Sequence, residues 1–130
     1  MHLGSIALLV RDYDEALAYY VGVLGFHLLE DTDLGQDKRW VRVAPAAAAE
    51  TGLLLARAVT LAQQAAVGNQ SGGRVFLFLH TESFQADYTR LKARGVRFLE
   101  EPRRESYGHV VVFADLYGNR WDLLEQPQPL

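Results

Sequence analysis

The strongest constraint on this chain is an internal repeat. Val10-Arg11-Asp12-Tyr13 falls on Thr81-Glu82-Ser83-Phe84 with an offset of 71, and Leu24-Gly25-Phe26 falls on Arg94-Gly95-Val96 with an offset of 70. One residue is lost between them. Ahead of the first alignment lies the apolar run "SIALLV" (5–10), and ahead of the second lies "VFLFLH" (75–80). Both read as strands, the first as one buried on both faces. Asp12 can cap "YDEALAYYVGVLG", where Ala16, Leu17, Tyr20 and Leu24 recur at helical spacing and Gly25 supplies the stop. Thr81 or Ser83 can cap "FQADYTRLKARG", which stops at Gly95.

Three strands follow each helix. In the first half they are "FHLLEDT" (26–32), "RWVRVA" (39–44) after the polar turn "DLGQDK" (33–38), and "GLLLARA" (52–58). In the second they are "VRFLEE" (96–101), "HVVVFA" (109–114) and "RWDLLEQ" (120–126), with "DLYGN" (115–119) as a tight turn. Each half therefore reads strand–helix–strand–strand–strand, an incomplete core that closes on its twin. The expected organisation is one globular domain. It has a first module at 1–58, a connector at 59–73 with a short helix in "TLAQQAAV", a second module at 74–126, and a tail at 127–130.

The 130 residues include no cysteine, so disulfides, thiolate metal sites and a cysteine nucleophile are excluded. The formal net charge is -3, and "RR" at 103–104 is the only adjacent pair of arginines, which argues against a nucleic-acid partner. No apolar run reaches the ~18 residues needed to span a bilayer. "MHLGSIALLVRD" lacks a basic start, so the expectation is a cytoplasmic protein with no membrane partner. No Gly-rich phosphate loop, Ser-His-Asp arrangement or HExxH helix is present.

The polar residues on strands carry what chemistry the sequence offers. Asp122 sits in the apolar last strand, sharing a face with residues 120 and 124. It is either a structural carboxylate tied to a neighbour or a group that orients a ligand or accepts a proton. If it is partly buried without a cation, its pKa should rise. Trp40 and Arg42 share one face of their strand, and Val41 and Val43 look like the helix-packed face. Trp40 and Arg42 would then offer an aromatic wall and a cation to a ligand, or the tryptophan packs at a dimer contact. His80 shares a face with Phe76 and Phe78, while Tyr107 and His109 lie near the start of a strand. These read first as partly exposed polar residues and second as pocket or catalytic groups.

The order of elements, with "IALLVRDYDEALAYYVGVLGF" at the front and "DLYGNRWDLLE" at the end, resembles the glyoxalase / bleomycin-resistance / extradiol-dioxygenase superfamily, the vicinal oxygen chelate fold. The resemblance spans nearly the whole chain. It implies an α+β fold of tandem βαβββ modules, with a curled, U-shaped mixed sheet around a cavity and helices outside. It also implies a homodimer. Metal-using members similar to this chain take one ligand from each of four strands. By resemblance those positions fall on Ser5, a residue within Leu53–Ala56, Phe76 and Asp122. Only Asp122 is a good ligand, and a catalytic divalent ion wants at least three protein donors.

The expected function is therefore binding of a small hydrophobic or aromatic molecule in a metal-free cavity, with no cofactor. The expected ligand-binding residues are Ser5, Trp40, Arg42, Phe76, Phe78, Tyr107 and Asp122. The alternative is a lyase, isomerase or dioxygenase. It would use a metal relocated to His80, His109 and Asp122, or metal-free acid/base chemistry by the same three residues with Tyr107.

Overall fold

Capping and glycine stops place the two main helices where the repeat puts them. The computed structural model describes residues 1–125; Gln126 and the expected tail at 127–130 lie outside the described residues. Strand β1 (Ser5–Val10) is followed by helix α1 (Tyr13–Tyr20), and strand β5 (Val75–Thr81) by helix α3 (Phe84–Ala93). Asp12 caps α1, its carboxylate accepting from the Glu15 N–H at 2.8 Å. Ser83 occupies the equivalent cap of α3 but contributes no side-chain bond. There Thr81 Oγ1 accepts from the Ser83 N–H at 2.9 Å and donates to Asp87. Both helices exit through a left-handed glycine, Gly25 at φ 80° and Gly95 at φ 89°.

The chain divides into two compact units, Met1–Gln70 and Ser71 onward. The first holds α1 and a four-stranded mixed sheet of β1, β2 (His27–Gly35), β3 (Lys38–Ala44) and β4 (Gly52–Arg57), in the order β1-β4-β3-β2. β1 and β4 run parallel, and the other pairs antiparallel. A short helix α2 (Leu61–Ala66), held by a Thr60/Gln63 capping box, closes this unit. The second unit holds α3 and a sheet of β5, β6 (Arg97–Phe98), β7 (Arg103–Glu105), β8 (Gly108–Ala114) and β9 (Arg120–Glu125). Its order is β5-β9-β8-β6, with β7 also pairing β8. The fold is α+β with two mixed sheets.

Each helix covers one face of its own sheet, so each sheet has a buried and an open side. In the first unit Leu8, Val10, Val41, Val43 and Leu55 are fully buried with Tyr13, Ala16 and Tyr20 of α1. In the second, Trp121, Phe113, Phe98, Tyr88 and Phe84 form a run of ring contacts from the sheet to α3, with centroids 4.7–6.2 Å apart.

Three expectations need correction. β1 is not buried on both faces: Leu8 and Val10 are fully buried, but Ala7, on the opposite side, is exposed. The β2–β3 turn is only Gln36-Asp37, both at positive φ (54° and 63°), so the strands extend well into the polar stretch. "VRFLEE" is not one strand. β6 stops at Phe98, and pairing resumes at Arg103, beyond Pro102, which has no N–H to give. In the gap the Glu100 carboxylate accepts the Val112 N–H at 3.1 Å, standing in for a backbone carbonyl.

The "DLYGN" turn is organised by a buried aspartate. Asp115 is 4% exposed, and its Oδ1 accepts from the N–H groups of Tyr117, Gly118 and Asn119 at 2.9–3.0 Å. Its Oδ2 accepts from the Asn119 side-chain amide at 2.9 Å. Gly118 takes φ 104°, which explains why this turn needs aspartate, glycine and asparagine at these places.

Candidate functional site

The open face of the first sheet follows from register. Ser5 pairs with Gly52, Ala7 with Leu54 and Leu9 with Ala56, while Arg42 pairs with Leu54 and Glu30 with Arg42. Trp40 stands two residues along from Arg42 on the same side. The sequence expectation that Trp40 and Arg42 share a side opposite Val41 and Val43 matches the burial: both valines are fully buried, and Trp40 is 40% exposed.

Trp40, Leu9, Leu54 and Ala56 wall one side of a hollow of about 520 Å³, completed by Tyr13, Leu55, Val59 and polar groups of Lys38, Arg39, Arg57, Gln36 and Gln63. That volume suits a small organic molecule. Arg39 is committed elsewhere, to Asp31 at 2.7 Å and Asp14 at 2.9 Å. Its guanidinium holds the Asp31 carboxyl below the usual carboxylate range.

Arg42 is anchored on three sides. Its Nε donates to Ser5 Oγ at 2.8 Å, Nη2 to the Gly4 carbonyl at 3.0 Å and Nη1 to Glu30 at 2.8 Å. The side chain is 15% exposed. It reaches from β3 across β4 to β1 because position 52 is glycine: a Cβ there would lie 3.2 Å from Arg42 Nη2.

On the second sheet Asp122 pairs with Phe78 on one side and Val112 on the other, and His80 pairs with Leu124. Phe78, His80, Val112, Asp122 and Leu124 thus share the face opposite Trp121 and Leu123. Phe78 is 57% exposed. Asp122 Oδ1 is shielded from water and has no hydrogen-bond partner among the described residues. Burial pushes the Asp122 carboxyl up; Arg103 opposes the shift and Glu100 adds to it. Arg103 is itself bound to Glu100 at 2.9 Å and Glu105 at 2.6 Å. Phe76 sits at the irregularity where Val75 pairs with Arg120 and Leu77 with Trp121.

His109 stands apart from this group. It lies on the α3 side of β8, its ring stacked on Phe84 with centroids 5.4 Å apart. Its N–H donates to Glu125 at 2.6 Å, and its Nδ1 is 3.3 Å from the same carboxylate. Those contacts hold the Glu125 carboxyl below its usual range, the backbone bond contributing most. Tyr107 is exposed in the two-residue β7–β8 turn. His80 and Asp122 therefore share a face, and His109 does not join them.

The matched ligand positions do not fit a divalent ion. Ser5 Oγ already accepts from a guanidinium, and Leu54 is the fourth-strand side chain on its face. Phe76 offers no donor atom, which leaves one carboxylate. Among the described residues no group of three or more His, Cys, Asp or Glu could hold a metal.

Sequence reasoning missed Leu9, Leu54 and Ala56 as wall residues and Gly4, Glu30 and Gly52 as the frame of Arg42. Strand parity could have found the first group. In the second, the Glu30–Arg42 pairing depends on a register shift between Asp33 and Gly35 that leaves no mark in the sequence.

A protein of Shewanella frigidimarina (strain NCIMB 400), itself uncharacterized, is 54% identical over 121 residues, covering 92% of this chain and 90% of that protein. The crystal structure of UcmS2 is similar at TM-score 0.83 and 29% identity, covering 95% of this chain and 97% of that one. TnmS3, described as an antibiotic binding protein from Streptomyces sp. CB03234, is similar at TM-score 0.79 and 31% identity, covering 98% of this chain and 97% of that one. The model of the Glyoxalase/Bleomycin resistance protein/Dioxygenase superfamily matches residues 2–123. With the βα repeat, the two mixed sheets and the "DLYGN" turn, this match establishes that the chain belongs to that superfamily.

Proposed function

We propose that this protein binds a small hydrophobic or aromatic molecule without a metal. The observation that carries the reading is the hollow walled by Trp40, Leu9, Leu54 and Ala56, on a sheet face where chelation would need donor atoms. An indole and three aliphatic side chains hold a flat ring by shape and desolvation. The likeness to TnmS3, described as an antibiotic binding protein, supports it. On the second sheet, Phe78 offers an exposed ring beside Asp122, whose Oδ1, without a partner among the described residues, would accept from a ligand N–H or O–H. Phe76 and Tyr107 flank this face as further contacts. The protein acts as a cytoplasmic homodimer in this reading, and no helix among the described residues is long and apolar enough to cross a membrane.

The test is thermal: a panel of polycyclic aromatic antibiotics should raise the melting temperature, and Trp40→Ala should abolish the rise for those that bind. No rise for any member, or a rise unchanged in Trp40→Ala, would defeat the proposal.

A second reading makes Asp122 a metal-free proton acceptor, favoured by its raised proton affinity in an apolar setting. Turnover of a bound ligand that disappears in Asp122→Asn while affinity is kept would establish it.

A further inference from the structure

We propose that Arg42 and Ser5 form a cradle for an anionic oxygen, so that the ligand of the first sheet is an aromatic acid bearing a carboxylate or phenolate. This rests on the aromatic-binding reading above and adds the ligand's charge.

The guanidinium has five N–H groups. Three are engaged, by Ser5 Oγ, Gly4 O and Glu30. One N–H on each terminal nitrogen has no partner among the described residues. Nor has the Ser5 hydroxyl hydrogen, since Ser5 Oγ acts as an acceptor toward Arg42. The cation is positioned in advance, clamped to β1 through the gap that Gly52 leaves. Preorganised donors of this kind bind an oxygen without first having to be ordered.

Placement selects the ligand. Arg42 is one same-face step from Trp40 on β3 and directly opposite Leu54 on β4, and both residues wall the hollow. A ring lying against Trp40 and Leu54 would carry a substituent oxygen to Arg42 within about 7 Å, the same-face spacing along a strand. Glu30 is the competing anion. It is 44% exposed on the edge strand against 15% for Arg42, so it can turn to water when a ligand carboxylate arrives. A guanidinium pairs with a carboxylate through two parallel N–H bonds, which gives the acid its advantage over a neutral isostere.

The test uses calorimetric titration of the full chain with 2-naphthoate and the neutral 2-naphthalenemethanol. The acid should bind about tenfold more tightly than the alcohol, as expected for charge-assisted hydrogen bonds. Arg42→Gln should erase that preference. Ser5→Ala should reduce the preference, and Glu30→Gln should increase it by removing the competing anion. If Arg42→Gln fails to fold, Glu30→Gln on the exposed edge decides: an unchanged or smaller preference overturns the cradle. Equal binding of acid and alcohol by the native protein would overturn the cradle and leave the aromatic-binding reading intact. Binding of neither would overturn both.

Discussion

A carboxylate oxygen shielded from water and given no donor raises the free energy of the charged form, and among the described residues Asp122 Oδ1 is in that position. The folded carboxyl therefore keeps its proton to higher pH than the unfolded one, whose ordinary value is 3.8. Well below 3.8 both states are protonated and the site costs nothing. As pH rises from there through the raised folded value, the folded state holds more protons than the unfolded state, and stability falls. Asp122→Asn removes that dependence. Urea unfolding should show the variant about 1 kcal/mol more stable at pH 7, an advantage that shrinks toward pH 3. An equal difference at both pH values would mean that the carboxylate is solvated in the folded protein. Asp31 and Glu125 shift the opposite way, which is why the variant and not the wild-type curve isolates the effect.

At the scale of elements, the strands and helices were legible where alternation and capping spoke clearly. β1, α1 and the Val41/Val43 face were readable because apolar spacing fixes them. The β7 segment was not, since "VRFLEE" has strand composition and only Pro102, with the Glu100 bond to Val112, divides it. The side of His109 was a matter of register across β8, which the residues themselves do not display. The arginine frame was likewise invisible: a buried glycine on β4 reads as a weak strand residue, yet it opens the passage for Arg42. Gly52→Ala tests that role. Its Cβ would press on Arg42 Nη2, Leu29 and the Val43 carbonyl, each 3.2 Å away. We expect a loss of about 1 kcal/mol in stability from overpacking. Acid-over-alcohol preference should fall in the same titrations as the guanidinium is pushed from Ser5. Unchanged preference would show that Arg42 reaches Ser5 without needing that gap.

For the molecule as a whole, the repeat was the most informative feature of the sequence. The offset of 71 holds in the structure from the end of β1 and β5 to the start of α1 and α3, and the offset of 70 holds at Gly25 and Gly95. What the repeat does not specify is how each half manages its outer strands. β1 lies at the rim of its sheet, and the last residue of the first unit deals with it. Gln70 Oε1 accepts the Leu9 N–H at 2.9 Å, and its Nε2 donates to the Ala7 carbonyl at 2.8 Å. This side-chain amide copies the bonds a further strand would make. Gln70→Ala should leave those two groups bare, and light scattering at rising concentration should show larger assemblies than the native protein forms. If the mass distribution is unchanged, the rim is guarded by something else. A single carboxamide thus works as a counterfeit neighbour. It satisfies the rim's appetite for pairing without extending the ladder, and so discourages the chain from polymerising through its own backbone.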